Sequence, residues 1–334
     1  LMGVAIATGS GALANIAGAG AQVYLQSYSR DQEFEADLLG VRYLSRATYD
    51  PRAMSSFLNN LLADSRLDAA LAGRPGAADE YNIMATHPRT ADRVRRAIEA
   101  AGERAVADPM VERDIYLDKI DGMLYGDDPK EGIIKGRRFA HPILKFEFTV
   151  PEGFRLYNSA AAVLAKGPEG SVIQFDRAPQ APSGDLLEYL AYDWGRQISL
   201  DKLERITVNG MEGATGVARV RTNAGTADLR LVAIRYDSGT VYRFIMLTPT
   251  NLTAGLSEGL RRTTYSFKKL SDAEARALKP LRIRVVTVQS GDTVQSLAAR
   301  MAFDDHQVER FRVLNGLAEG ATLTPGQRVK LVTE

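Results

Sequence analysis

The stretch Ser29-Arg30-Asp31-Gln32-Glu33-Phe34-Glu35-Ala36-Asp37-Leu38-Leu39-Gly40 carries more information than any other in this chain. Ser29 is a good N-cap residue, and Gln32 stands at capping-box spacing from it, so a helix is predicted from Ser29 to Ala47. Residues at i, i+3, i+4 and i+7 of a helix share one face. From Glu33 that face is Glu33, Ala36, Asp37 and Gly40: two carboxylates and two residues too small to shield them. Leu38, Leu39, Val41 and Leu44 supply apolar contacts around it. Like charges four residues apart repel by a few tenths of a kcal/mol when exposed, and far more when buried without a cation or donors. Two readings fit the spacing. One is a metal and the groups that orient its ligands. The other is a solvated acidic face paired with Arg30.

Outward from this helix the pattern stays helical. Asp50-Pro51 opens a second helix in which Ala53, Phe57, Leu58, Leu61 and Leu62 recur at helical spacing. A loop with Gly73, Pro75 and Gly76 follows. Thr86-His87-Pro88 then precedes a helix from Thr90 to Ala101 with Arg93, Arg95 and Arg96 on one face. Helix is predicted up to about Leu124. Before Arg30 the chain is uncharged and rich in Ala, Gly and Ser, a poor membrane span because its glycines and polar residues dilute the apolarity. It lacks the basic start of a signal peptide.

The pattern changes near residue 140. Lys145–Val150 alternates apolar and polar, a strand signal. Strands are also predicted at Ala160–Ala165, Ser171–Phe175, Arg205–Val208, Met211–Arg221, Asp228–Tyr236 and Thr240–Thr248. Helices are predicted at Leu186–Ile198, which carries Trp194, and at Leu252–Thr263. The expected fold is multidomain: an all-α part (1–138), an α+β antiparallel-sheet domain (139–271), a linker (272–282) and a small βααβ unit (283–334).

Composition removes whole classes of function. The 334 residues hold 42 Lys+Arg against 41 Asp+Glu, a formal net charge of +1, which leaves no electrostatic footprint for nucleic acid. Cysteine is absent, excluding disulfides, thiolate zinc sites and a cysteine nucleophile. The only histidines are His87, His141 and His306.

Tyr28 through Leu44, with Glu33-x-x-x-Asp37 at its centre and Tyr49-Asp50-Pro51 after it, closely resembles the HtpX/BepA/Oma-type zinc metallopeptidases, a Ste-type gluzincin family. The resemblance implies that Glu33 is a protein ligand to zinc and that Asp37 orients a zinc-bound imidazole. Thr86-His87-Pro88-x-x-x-x-Arg93 is similar to a second family motif, which implies roles for His87 and Arg93 in the catalytic site, on the substrate or on the metal. From the residues alone, His87 is equally a helix-start residue and Arg93 part of a solvated basic face. The family's H-E-x-x-H is absent from the sequence, and Leu1 is no natural initiator, so the expectation is a chain that begins inside a longer protein. A catalytic zinc takes three protein ligands, so a chain with one carboxylate is expected to be inactive alone.

Residues 283–332 resemble a LysM module through Val288-Gln-Ser-Gly291-Asp292-Thr293, Leu314-Asn315-Gly316-Leu317 and Leu323-Thr-Pro325-Gly326-Gln327. That resemblance implies peptidoglycan binding through loops that include Gly291, Asp292, Thr293 and Asn315. The middle domain is faintly similar to a Mog/PsbP-like sandwich through Phe148–Phe154 and Ser266–Leu270. His141 is expected as a linker or packing residue, and His306 within a charged helix.

Together these resemblances imply a zinc-dependent endopeptidase of the bacterial envelope, periplasmic or outer-membrane associated. It would act on misfolded envelope proteins, with any membrane attachment made through its N-terminal side. The alternative from another class is a non-catalytic glycan- or partner-binding protein built on a peptidase remnant.

Overall fold

The computed structural model describes residues 30–71, 90–102, 106–222 and 225–334. Among these, residues 30–125 and 281–334 form one compact unit, and 126–280 form a second.

The first unit opens with α1 (Arg30–Arg46), α2 (Ala53–Leu71), α3 (Thr90–Gly102) and α4 (Arg113–Ile120). Asp31 and Glu33 lie in the first turn of α1 and Arg46 in its last, which suits the helix dipole at both ends. The expected N-cap, Ser29, lies outside the described residues. Asp50 turns the chain toward α2 by accepting the Arg52 N–H at 2.9 Å. Val41 of α1, Met54 of α2 and Ala100 and Ala101 of α3 pack together. The small α3 residues let the helices approach closely. So does Gly40, where a Cβ would overlap the Cε of Met54.

The buried side of α1 is Glu33, Phe34, Asp37 and Val41. Ala36 and Leu38 are exposed, so the packing stripe runs one residue to the side of the expected one. The helical reading up to Leu124 also needs correction. Residues 106–112 are irregular, and the Met110 N–H donates to the Thr48 carbonyl at 2.9 Å beside a short parallel bridge with Tyr49.

The second unit contains, in order, β1 (Ile133–Lys135), β2 (Arg138–His141), β3 (Phe146–Thr149), β4 (Arg155–Asn158), β5 (Val163–Lys166), β6 (Val172–Arg177), α5 (Leu186–Glu188), β7 (Asp201–Val208), β8 (Met211–Thr222), β9 (Gly225–Asp237), β10 (Thr240–Pro249), α6 (Thr253–Ser266), β11 (Lys268–Lys269) and α7 (Asp272–Ala277). They form two antiparallel sheets, β1-β2-β3-β11 and β4-β5-β6-β10-β9-β8-β7. Strand side chains alternate between faces, and β10 is buried on both. Tyr242, Phe244 and Met246 join Phe139, Phe146, Phe148, Phe175 and Phe267 in one core. Val241, Ile245 and Leu247 join Leu186, Leu190 and Trp194 in another. This double burial explains why β10 reads as an almost unbroken apolar run.

Leu186–Ile198 is not one regular helix. After the single turn of α5, Tyr189–Trp194 widens into a π-helix closed by the Gly195 N–H donating to the Leu190 carbonyl at 2.9 Å. A Cβ at Gly195 would overlap that carbonyl, so the closure requires glycine. Sequence period does not separate α from π over six residues. Within the segment expected as a linker, α7 has a full capping box between Ser271 and Glu274.

The chain then returns to the first unit as β12 (Arg282–Thr287), α8 (Val294–Ala298), α9 (Gln307–Asn315) and β13 (Arg328–Thr333). β12 and β13 pair antiparallel, and Leu297, Phe311, Val329 and Val332 form the core beneath. Ile283 packs on Leu117 and Ile120 of α4. Arg328 meets Asp114 and Asp118 of the same helix. The Gly122 N–H donates to the Ile283 carbonyl and the Tyr125 N–H to the Leu281 carbonyl, each at 2.8 Å.

Candidate functional site

The α1 pair is buried, and a cation from α3 holds it. Glu33, Asp37 and Arg93 are each only 6–7% exposed. The Arg93 guanidinium donates from Nε to Asp37 Oδ2 at 2.7 Å and from Nη2 to Asp37 Oδ1 at 2.8 Å. This is the two-pronged geometry in which arginine binds a carboxylate most strongly. Its remaining nitrogen, Nη1, lies 3.1 Å from Glu33 Oε2. The hydrogen bond to Asp37 raises the Arg93 pKa above its ordinary value against the opposing effect of burial. A second contact fixes the same helix pair, with the Arg96 guanidinium 3.8 Å from the centre of the Phe34 ring.

Charge compensation by Arg93 therefore lets two acids share this buried face. Arg93 holds Asp37 by both oxygens and lies against Glu33 as well, so one guanidinium bridges the pair. Sequence patterning placed Arg93 on a solvated basic face because its partner lies 56 residues upstream. The signal in the sequence was a basic helix following a helix with an acid pair.

Among the described residues, no three His, Asp or Glu side chains lie close enough together to hold a metal ion. Glu33 and Asp37 already share one guanidinium. On these residues alone a zinc ion is not accommodated, and no reaction step is assigned through one. His87 lies outside the described residues, as does the uncharged run before Arg30. Among the described residues, no helix is long and apolar enough to cross a membrane.

The other histidines stand apart from this cluster. His141 ends β2 in the second unit, buried, with Nδ1 accepting the Leu144 N–H at 3.2 Å. Burial lowers its pKa, opposed by a hydrogen bond to the Lys130 backbone carbonyl. His306 is the residue before α9, in a left-handed conformation.

In the terminal module the four candidate glycan residues shape the backbone. Gly291 takes φ +90°, which glycine tolerates. Asp292 accepts the Gln289 N–H at 2.8 Å. Thr293 caps α8 in a reciprocal pair with Ser296. Asn315 donates from Nδ2 to the Phe311 and Lys330 carbonyls at 3.0 and 2.9 Å. It also accepts the Lys330 N–H at 2.7 Å. The Asn315 side chain thus clips the end of α9 to β13, with its amide groups directed at the module's own backbone.

Residues 3–101 match the model of peptidase family M48, and residues 286–332 match the LysM domain. The beta-barrel assembly-enhancing protease of Escherichia coli (strain K12) is 32% identical over 101 residues, covering 30% of this chain and 19% of that protein. The same protease of Shigella flexneri matches to the same extent. The chain thus spans about a fifth of the length of the curated relatives it matches. Among solved structures, cyanobacterial PsbP (CyanoP) from Synechocystis sp. PCC 6803 is 14% identical, covering 41% of this chain and 98% of its own, at a TM-score of 0.32. LpqN of Mycobacterium tuberculosis is 12% identical, covering 49% and 99%, at 0.31.

Proposed function

Because the chain carries a peptidase family M48 domain and a LysM domain, we propose that it serves as a zinc-dependent endopeptidase of the bacterial cell envelope. Misfolded envelope proteins are the substrate class, and peptidoglycan is the surface that keeps it in place. The observation that carries this reading is the burial of Glu33 and Asp37 together on one face of α1, within the residues that match the peptidase model. Asp37 is held by two hydrogen bonds from Arg93, as suits a residue that orients others, and Arg93 Nη1 lies 3.1 Å from Glu33 Oε2. In this reading Glu33 is the carboxylate ligand, Asp37 orients a ligating imidazole, and His87 and Arg93 stand at the substrate side. One carboxylate does not hold a catalytic zinc, so residues 1–334 by themselves are hydrolytically silent.

Casein cleavage tests this. The 334-residue chain with zinc leaves casein intact. A chain that presents an H-E-x-x-H helix ahead of residue 1 cleaves it and loses that activity with Glu33→Gln. Retained cleavage in Glu33→Gln removes the ligand role.

A second reading, a non-catalytic envelope protein that binds glycan or a partner, draws on the same ion cluster, since Arg93 satisfies the acid pair with no metal. It predicts retention on peptidoglycan with no hydrolysis in either chain. In both readings the loops around Gly291–Thr293 and Asn315 contribute backbone groups to the glycan.

A further inference from the structure

Strand β10 places one charged side chain on an otherwise apolar buried face. Arg243 lies between Val241 and Ile245, which pack in the core formed with Leu190 and Trp194, and it is 7% exposed. Directly across the ladder on β6 is Asp176, itself buried, which accepts from Arg243 Nε at 2.7 Å. Nη1 donates to the Tyr189 hydroxyl at 3.3 Å, and the guanidinium carbon lies 4.7 Å from the centre of the Trp194 ring. Nη2 has no partner among the described residues. A buried ion pair is rarely more stabilising than apolar side chains of similar volume.

The unfilled edge borders a cavity of about 500 Å³, within the usual range for small-ligand sites. Its buried wall is Tyr189, Trp194 and Arg243. Its exposed rim includes Gln180, Asp193 and Arg196. Arg196 makes no ion pair among the described residues. The wall is assembled by the π-helix Tyr189–Trp194, a local widening found most often at functional sites.

We propose that this cavity binds the C-terminal carboxylate of a short peptide. Arg243 meets the carboxylate at the wall, and Arg196 adds a second positive charge at the rim. The Gln180 amide and the Asp193 carboxylate accept peptide N–H groups, and Trp194 lies against the terminal side chain. An arginine fork is the side chain best matched to a carboxylate. The site lies wholly in the second unit and is independent of the hydrolytic reading.

The test is calorimetric titration of the full chain with acetyl-Ala-Ala, with its C-terminal amide and with N-acetylglucosamine. The carboxylate is expected to bind at least about tenfold more tightly than the amide. Acetyl-D-Ala-D-Ala tells the two sources of such a terminus apart. Preference for the L form assigns a protein terminus, and preference for the D form a cell-wall stem peptide. Arg243→Lys keeps a cation beside Asp176 but loses the fork, and is expected to weaken carboxylate binding about tenfold or more with unchanged circular dichroism. Arg196→Gln, at an exposed and unpaired position, retains the fold and is expected to weaken binding several-fold and flatten its salt dependence. The proposal is overturned if peptide acid and amide bind equally, if neither binds at about 10 mM, above the weak end of specific affinity, if only the sugar binds, or if both variants bind as the parent does.

Discussion

Removing Arg93 takes away the guanidinium that bridges two buried carboxylates. Breaking a buried pair in this way costs about 3–5 kcal/mol. Arg93→Ala is therefore expected to move the first unit's urea transition, followed by helical circular dichroism, strongly downward. Trp194 is the only tryptophan and lies in the second unit, so its fluorescence transition should stay in place. A fluorescence transition that moved with the helices would show that the two units unfold together. His141 tests the second unit separately. Burial holds its pKa below the ordinary 6.5, so the unfolded chain takes up a proton that the folded one refuses. Its contribution to stability is full above about pH 6.5 and is lost as the pH falls through the folded value. His141→Asn, which retains an acceptor for the Leu144 N–H, should flatten the fall of the Trp194 transition between neutral and mildly acidic pH. An equal slope in parent and variant would remove His141 as the cause.

Among the elements, α7 is capped by hydrogen bonds whose strength can be read directly. The Ser271 N–H and hydroxyl both donate to Glu274 at 2.8 Å, and Lys268 lies 3.0 Å away. These favour the charged carboxylate, first through the backbone bond, and pull the Glu274 pKa down to about 2. The cap is therefore intact above the ordinary carboxylate range and opens only as the pH falls through about 2. Ser271→Ala removes only the hydroxyl bond and should return the Glu274 titration, measured by carbon NMR, part of the way toward its usual value; an unchanged titration would show that the backbone N–H and Lys268 are sufficient. The longer strands from Met211 to Thr248 were legible in the sequence because strand-forming runs of about ten residues lie between recognisable turns. β1, β2 and β4 were not, because three or four residues set no period. Glu33 and Asp37 were legible as a pair. Arg93 and Arg243 were not legible as their structural roles, since each is defined by a partner more than fifty residues away. The available clue to Arg243 was an arginine in phase with Val241, Ile245 and Leu247.

At the scale of the molecule, the first unit is discontinuous in sequence, and the second leaves and rejoins it at hydrogen-bonded neighbours, Tyr125 and Leu281. Replacing residues 126–280 by a short Gly/Ser linker should yield a folded first unit with helical circular dichroism and a cooperative melt, since a closed loop there carries little entropic cost. A product without cooperative unfolding would show that the second unit is needed for the first to hold together. The same junction sets an order on biosynthesis. As the ribosome extends the chain past residue 280, both sheets of the inserted unit are already complete, while α4 still lacks Ile283 and the Arg328 guanidinium. The helices made first therefore remain unfinished until the final strand emerges, and a premature stop codon anywhere in the last stretch would expose them to proteolysis while leaving the inserted unit whole.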